Sequence, residues 1–219
     1  MKKLNIGIVG AGRIGKVHAA SITYNIPQAQ VTRVTDVCYP AAKALAETYG
    51  VPNWGTDYMD IINDPEIDAV LVCSPTPTHA DISIAAMKAG KHVFCEKPVD
   101  LTIEKIKKTA EVAAETGRKL QIGFNRRFDH NHGKVQRLAA DGTLGNIELI
   151  KITSRDPEPP SPEYAASSGG LYIDMMIHDF DMAMFLAGGV AGMAGLTEIL
   201  GIQIRVYKNF SASYGFDGI

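Results

Sequence analysis

A short apolar run that opens directly into Gly10-x-Gly12-x-x-Gly15 constrains the fold of this chain more than any other feature. At this spacing Gly10 allows the tight turn out of a strand, and Gly12 lets the backbone approach a pyrophosphate. Gly15 lets the next helix pack closely on the sheet. A helix that begins here directs free N–H groups and the positive end of its dipole at phosphates. The spacing predicts a dinucleotide-binding loop, with a structural turn as the alternative.

The residues around the glycine triplet have the pattern that dinucleotide binding requires. Residues 4–9 form an apolar run typical of a buried strand, and residues 14–22 are spaced as a helix. A second strand is predicted at 31–37, and it carries Asp36, 21 residues past Gly15. A carboxylate there accepts hydrogen bonds from the adenosine ribose hydroxyls and repels a 2′-phosphate, so the sequence favours NAD over NADP. Arg33 is the nearby cation that would weaken this preference.

Composition argues against several classes of protein. The net charge is −2 and the chain has no basic run, which argues against a nucleic-acid partner. The first apolar run is too short, and too soon interrupted by glycine, for a signal peptide or a membrane span, so we expect a cytoplasmic protein. Cys38, Cys73 and Cys95 lie near predicted strand ends without paired metal spacing. We therefore expect reduced thiols and no metal site.

Strands and helices alternate over the first 123 residues. Further apolar runs predict strands at 69–73, 92–95 and 120–124. Helices are predicted between them, at 40–49, 57–62, 79–88 with Thr78 as its cap, and 102–116. Such alternation is typical of a doubly wound parallel sheet covered by helices on both faces. We predict an α/β domain of the Rossmann type over residues 1–123.

The pattern changes beyond residue 123. Helices are predicted at 128–140 and 170–187, with a strand at 146–153 and a proline-rich loop at 154–169 between them. Alternating apolar residues predict one more strand at 200–206. Residues 124–219 are therefore predicted to form a separate domain of the α+β class.

Three groups of residues outside the glycine loop could carry chemistry. Lys97 follows the strand at 92–95, at the edge where ligands of open α/β sheets bind, although a solvated lysine is the alternative. Asp174 and His178 are one helical turn apart, so the carboxylate can orient the imidazole as a general base for an alcohol. A hydrated helix face, which would include Asp181, is the alternative there. Two arginines in the segment 123–128 either hold a substrate or cofactor carboxamide or bridge the domains.

Together and in this order, the motifs resemble those of the Gfo/Idh/MocA oxidoreductases, and within that family the myo-inositol 2-dehydrogenases. The resemblance extends from residue 1 to about residue 187. It is carried by Gly10-Ala-Gly-Arg-Ile-Gly15, Cys95-Glu-Lys-Pro98, Gly123-Phe-Asn-Arg-Arg-Phe128 and Gly169-Gly-Leu-Tyr-Ile-Asp174-Met-Met-Ile-His178-Asp-Phe-Asp181. It implies an NAD-dependent oxidation of a secondary alcohol of a cyclic polyol, myo-inositol to its 2-keto form.

The resemblance also implies roles for individual residues. Lys97, Asp174 and His178 fall on the catalytic positions of the family. His178, oriented by Asp174, would take the hydroxyl proton, and the Lys97 ammonium would stabilise the oxygen. In similar enzymes the peptide bond before Pro98 is often cis. The residues expected to bind NAD are Gly10, Gly12, Arg13, Ile14, Gly15, Asp36, Ser74, Pro75, Thr76, His79, Glu96, Lys97, Asn125 and Arg127. For His79, a helix-start residue without a ligand is the alternative.

Members of this family are usually much longer, and their second domain carries a large, mostly antiparallel sheet used for oligomer contacts. We therefore expect residues 124–219 to form a truncated α+β domain, a partial substrate and oligomerisation domain. One or two strands cannot bury a sheet face alone, so the second domain is expected either to need a partner chain or to be partly disordered. The expected assembly is a homo-oligomer, a dimer or tetramer. Two alternatives to an inositol dehydrogenase stay open. One is a dehydrogenase of another sugar, and the other is a dinucleotide-binding sensor without turnover.

Overall fold

The computed structural model describes residues 2–155 and 158–189. They divide into two compact units, with the boundary between Gly123 and Phe124. The first unit holds six strands, β1 Leu4–Val9, β2 Ala29–Thr35, β3 Asn53–Gly55, β4 Ala69–Val72, β5 His92–Cys95 and β6 Leu120–Ile122. Its helices are α1 Arg13–Asn25, α2 Tyr39–Tyr49, α3 Met59–Ile62, α4 His79–Lys88 and α5 Ile103–Thr116. The predicted alternation of strands and helices is confirmed.

All six strands form one parallel sheet in the order β3-β2-β1-β4-β5-β6. This order is that of a doubly wound Rossmann sheet, so the predicted fold class is confirmed. The strand order reverses between β1 and β4. Ligands of such sheets bind in the crevice at the carboxyl ends of those strands. The topology therefore predicts a ligand site at the loops after Val9 and Val72.

The central strands are buried on both faces, which explains their nearly continuous apolar sequences. Alternate residues of β4 enter different cores: Leu71 packs with Ile8 in one cluster, whereas Val70 and Val72 pack with Ile61 in the other. The first cluster lies against α1 and α2, and the second includes residues of α3, α4 and α5. Because both faces are buried, the sheet is fixed between its helices. The loops at the carboxyl ends of the strands are fixed with it.

Thr78 does not cap α4 through its side chain, so that prediction is wrong. Residues Thr76–Thr78 form a 3-10 turn that runs directly into α4, and Thr78 itself has a helical backbone conformation. A capping side chain needs an extended residue before the helix, which this geometry removes. The Thr78 hydroxyl instead donates to the Pro75 carbonyl at 2.8 Å and lies 2.7 Å from the Ser74 hydroxyl.

All regular secondary structure among the described residues of the second unit is helical. A 3-10 turn, Asn125–Phe128, leads into α6 His130–Ala140, and α7 Pro162–Ser167 precedes a π-helical turn, Tyr172–Met176, and α8 Ile177–Leu186. The Asp129 carboxylate accepts hydrogen bonds from the N–H groups of Asn131 and His132, which ends the turn and begins α6. The strand predicted at 200–206 lies outside the described residues.

Two predictions for this unit are wrong. Residues 146–153 form no strand, because a strand needs a hydrogen-bonded neighbour and no other described residue pairs with them. The predicted loop at 154–169 contains α7, where Pro162 occupies the first turn and the Ser161 hydroxyl accepts from the Tyr164 N–H at 3.3 Å. In residues 2–155 and 158–189, no helix has the length and apolar character that a membrane crossing needs.

Candidate active site

The three glycines of the loop after β1 meet three different environments. Gly10 has φ of +103°, and a Cβ there would lie 2.5 Å from the Cys73 carbonyl carbon. A Cβ on Gly15 would lie 2.0 Å from the Gly10 carbonyl oxygen, so helix α1 and the loop touch at that point. A Cβ on Gly12 would meet nothing within 4 Å. Only Gly12 faces open space, as a residue under a phosphate group must.

Helix α1 begins at this open space without a side-chain cap. Gly12 is its N-cap, and the first turn carries no acidic residue. The first N–H groups of a helix have no partner within the helix itself and favour an anion. These residues therefore fit a pyrophosphate. The other loop residues assigned to NAD are Arg13, which is exposed, and Ile14, which is half-buried.

Asp36 follows β2 and is bonded to the glycine loop. One carboxylate oxygen accepts from the Ala11 N–H at 2.7 Å, and the other accepts from the Cys38 N–H at 2.8 Å. Each oxygen retains a further acceptor site for a ribose hydroxyl. The Arg33 guanidinium lies 3.6 Å from the Asp64 carboxylate. The cation that the sequence placed near Asp36 is therefore paired with another carboxylate.

His79 is 2% exposed, and its ring links two backbone segments. Its nitrogens lie 2.7 Å from the carbonyl oxygens of Pro98 and Ser74. These contacts favour the structural role for His79, which ties the loop after β4 to the segment that carries Lys97. Ser74 and Thr76 in that loop are half-buried and Pro75 is exposed. The Lys97–Pro98 peptide is cis, as the resemblance implies, and Lys97 is half-buried.

Glu96 has a partner that the sequence did not indicate. Its Oε1 lies 2.7 Å from Nε2 of His18, a residue of α1, and the His18 ring packs edge-on against Phe94. A Cβ on Gly123 would lie 3.0 Å from the other oxygen of Glu96, so the absence of a side chain there makes room for the carboxylate. His18 lies one turn after Gly15, and this spacing is the only signal by which the contact could have been found.

The buried thiols of the first unit have raised pKa values. Cys73 and Cys95 are buried at the ends of β4 and β5, whereas Cys38 is exposed beside Asp36. Burial raises the pKa of the Cys73 thiol far above its ordinary value and raises the pKa of Cys95 to about 12. None of the three forms a disulfide. No group of three or more His, Cys, Asp or Glu side chains in the described ranges could hold a metal ion.

Asp174 and His178 lie in the second unit on either side of the junction between the π-helical turn and α8. Asp174 is 9% exposed and accepts a hydrogen bond of 2.8 Å from the Tyr164 hydroxyl. The ring of Phe124 meets the His178 ring edge-on, with centroids 6.3 Å apart. Because the turn 172–176 is π-helical, the 3.6-residue period that placed Asp174, His178 and Asp181 on one stripe does not hold through it. Asp181 has a different partner from Asp174.

Both arginines of the segment 123–128 form ion pairs with α8. The Arg127 guanidinium makes a bidentate pair with Asp181, with contacts of 2.7 to 3.0 Å, and those hydrogen bonds raise the pKa of Arg127. Arg126 donates to Asp179 at 2.5 Å. Asn125, the other residue of this turn assigned to NAD, is exposed. Both arginines therefore pair with acids of the second unit itself.

Comparison with models of protein families identifies the family of this chain. Residues 4–124 match the model described as the oxidoreductase family with an NAD-binding Rossmann fold, Gfo/Idh/MocA, and residues 132–218 match the model of the Gfo/Idh/MocA C-terminal domain. The chain belongs to the Gfo/Idh/MocA oxidoreductase family.

Several characterised members of the Gfo/Idh/MocA family are similar to this chain. It is 45% identical to the inositol 2-dehydrogenase of Rhizobium meliloti over 185 residues, 84% of this chain and 55% of that protein. It is 43% identical to the myo-inositol 2-dehydrogenase of Thermotoga maritima over 185 residues, again 84% of this chain and 55% of the relative. The chain thus spans about half the length of these curated relatives.

A solved Gfo/Idh/MocA structure shares the fold. The scyllo-inositol dehydrogenase of Lactobacillus casei, determined with bound NAD(H) and scyllo-inositol, is 38% identical, with a TM-score of 0.79. The match covers 85% of this chain and 57% of that one. The resemblance seen in the sequence motifs is therefore confirmed at the level of family and fold.

Proposed function

We propose that this protein is an NAD-dependent dehydrogenase that oxidises a secondary alcohol of a cyclic polyol, converting myo-inositol to its 2-keto form. The observation that carries the proposal is the 45% identity to an inositol 2-dehydrogenase over 84% of the chain. A likeness of this extent, together with the 43% identity to a second such enzyme, supports the same class of substrate.

The geometry of the first unit supports NAD as the cofactor. Gly12 and the uncapped start of α1 would take the pyrophosphate, and Asp36 would accept the ribose hydroxyls. The contact between Asp36 and the Ala11 N–H holds the carboxylate beside the loop that takes the phosphates. NAD supplies the acceptor for the hydride that leaves the alcohol carbon.

The chain's own residues would handle the proton and the charge of the reaction. We assign His178 as the general base that takes the hydroxyl proton, with Asp174 orienting its imidazole. A positioned base of this kind contributes roughly 10² to 10⁴ in rate. Lys97 would stabilise negative charge on the oxygen as the proton departs. Glu96 and the loop residues Ser74, Pro75 and Thr76 would line the nicotinamide end of the cofactor crevice.

We also propose that the protein works in the cytoplasm as a homo-oligomer. Large apolar side chains of the second unit support association, since Phe128 is 72% exposed and Leu149 is 71% exposed. Sedimentation velocity would show a dimer or tetramer if this is correct, and a monomer at all accessible concentrations would contradict it.

The function can be tested by following reduced-cofactor absorbance with NAD or NADP and a panel of inositols and sugars. Lys97→Ala and His178→Ala should each lose at least about 10²-fold in kcat. Lys107→Ala and His130→Ala are matched controls, because both residues are exposed. Turnover that survives the first two substitutions would refute the assignment of the catalytic residues.

Two other outcomes would redirect the proposal. Turnover only with a non-inositol sugar would place the chain among the other sugar dehydrogenases of the family. NAD binding without turnover on any alcohol would favour a dinucleotide sensor.

A further inference from the structure

We propose that Arg126 and Arg127 are positioning residues that clasp helix α8 and thereby hold His178, rather than residues that bind cofactor. The inference rests on the proposed function for the role of His178. Its geometry, however, lies entirely within the second unit. We call the two ion pairs, Arg126 with Asp179 and Arg127 with Asp181, the arginine clasp.

The ion pair between Arg127 and Asp181 is bidentate, which restricts the position of both side chains. Arg127 Nε donates to both carboxylate oxygens at 3.0 and 2.8 Å, and a terminal nitrogen donates to Oδ1 at 2.7 Å. The Asp181 side chain is only 5% exposed, and the guanidinium also stacks 5.1 Å from the Phe185 ring centroid. The Arg127 guanidinium therefore directs its Nε–H and one terminal N–H at Asp181, within the second unit.

The second pair lies beside His178 in the sequence. Arg126 donates to Oδ1 of Asp179 at 2.5 Å, and the Ser154 hydroxyl donates to the same oxygen at 2.6 Å. Asp179 is the residue that follows His178. Any rotation of α8 about its axis that moved His178 would also move Asp179 away from both donors.

Helix α8 continues directly from the π-helical turn Tyr172–Met176. Met176, its N-cap, makes no side-chain capping hydrogen bond, and the turn before it is π-helical. Phe124 adds a third contact, an edge-on approach to the His178 ring at 89°. One short segment, residues 124–127, thus contacts His178 and two acids that follow it on α8. This turn therefore fixes both the rotation of α8 about its axis and the orientation of the His178 ring.

The decisive experiment compares Arg127→Gln with Asp181→Asn and with the double variant. If the clasp positions α8, both single changes should lower kcat about tenfold, and the double variant should lose no more than either one. The affinity for NAD, measured by calorimetry, should stay within about twofold of the unchanged protein in all three. If Arg127 instead binds the cofactor, Arg127→Gln alone weakens NAD binding, and that result would overturn the inference.

A charge-preserving variant separates positioning from general destabilisation. Arg127→Lys keeps the charge but loses the planar fork, so it should recover part of the kcat lost in Arg127→Gln. Arg118→Gln is the control, because Arg118 is exposed in the first unit. Equal losses in the lysine and glutamine variants, with a fall in thermal stability that accounts for both, would contradict a positioning role.

Hydrogen exchange tests the clasp without turnover. Amide exchange over residues 177–186 should rise by about fivefold in Arg127→Gln and in Asp181→Asn, and not in Arg118→Gln. This measurement remains informative if the unchanged protein oxidises no polyol, in which case the proposed function fails and the clasp is still tested. Unchanged exchange in both clasp variants would overturn the inference.

Discussion

The Tyr164 hydroxyl donates a hydrogen bond of 2.8 Å to the Asp174 carboxylate, joining helix α7 to the buried acid assigned to orient His178. Removing this donor takes away one of the hydrogen bonds that position the Asp174 carboxylate. We expect Tyr164→Phe to lower kcat for inositol oxidation about tenfold, the usual effect of one hydrogen bond to a charged group. Its NAD affinity should not change. Tyr24→Phe, at a residue 71% exposed in the first unit, is the matched control, and equal activity in both variants would count against the assignment.

Gly12 and Gly15 should respond differently to the same small change. Gly12→Ala places a methyl in the open space above α1, so unfolding free energy should change by no more than about 1 kcal/mol while NAD binding is lost. Gly15→Ala forces a methyl against the Gly10 carbonyl and should cost about 3 kcal/mol. Thermal unfolding and NAD titration of the pair distinguish the two effects. Similar losses of stability in both variants would show that the loop geometry is wrong.

Asp36 should govern the choice between NAD and NADP. Asp36→Ala removes the acceptor for the ribose hydroxyls and the charge that repels a 2′-phosphate, so NAD should bind about tenfold more weakly. The preference for NAD over NADP should fall at the same time. Asp57→Ala is the control, because the Asp57 carboxylate accepts a local hydrogen bond from the Met59 N–H. An unchanged ratio of the two affinities would mean that Asp36 does not contact the ribose.

Alkylation of the thiols should be selective. The thiolate is the reactive form, and burial raises the pKa of Cys95 to about 12 and that of Cys73 further, so neither reacts near neutral pH in the folded protein. Iodoacetamide should modify Cys38 alone until the protein is unfolded. NAD should slow that modification, because the Cys38 N–H is bonded to Asp36. Mass spectrometry of the digested protein would measure both effects, and rapid labelling of Cys73 would contradict the burial.

The sheet was predictable because each central strand is buried on both faces and therefore reads as an apolar run. Strand β3 is an exception. It has only three residues, Asn53–Gly55, two of them exposed, and so gives no periodic signal. The helix predicted at 170–187 is helical from residue 171 to residue 186, but residues 172–176 form a π-helical turn, which apolar composition does not distinguish from an α-helix.

The contacts of the candidate site were much less predictable. The glycine loop and Asp36 belong to one motif with a fixed sequence separation. The spacing alone therefore predicted that they lie close together. Arg127 and Asp181 are 54 residues apart, and no local pattern connects them. Tyr164 lies in a proline-rich segment predicted to be a loop. Such pairs follow from how helices pack, which depends on the tertiary structure rather than on neighbouring residues.

Trp54 is the middle residue of β3, and its indole N–H donates to the Tyr39 hydroxyl at 3.2 Å. It is the only tryptophan in the sequence. Asp36 is tied to the same strand, because its N–H donates to the Gly55 carbonyl at 3.1 Å. The chain thus carries its single indole fluorophore at the adenosine end of the proposed cofactor site. Since reduced nicotinamide absorbs where indole emits, energy transfer from this single donor would report occupancy optically, without any added label.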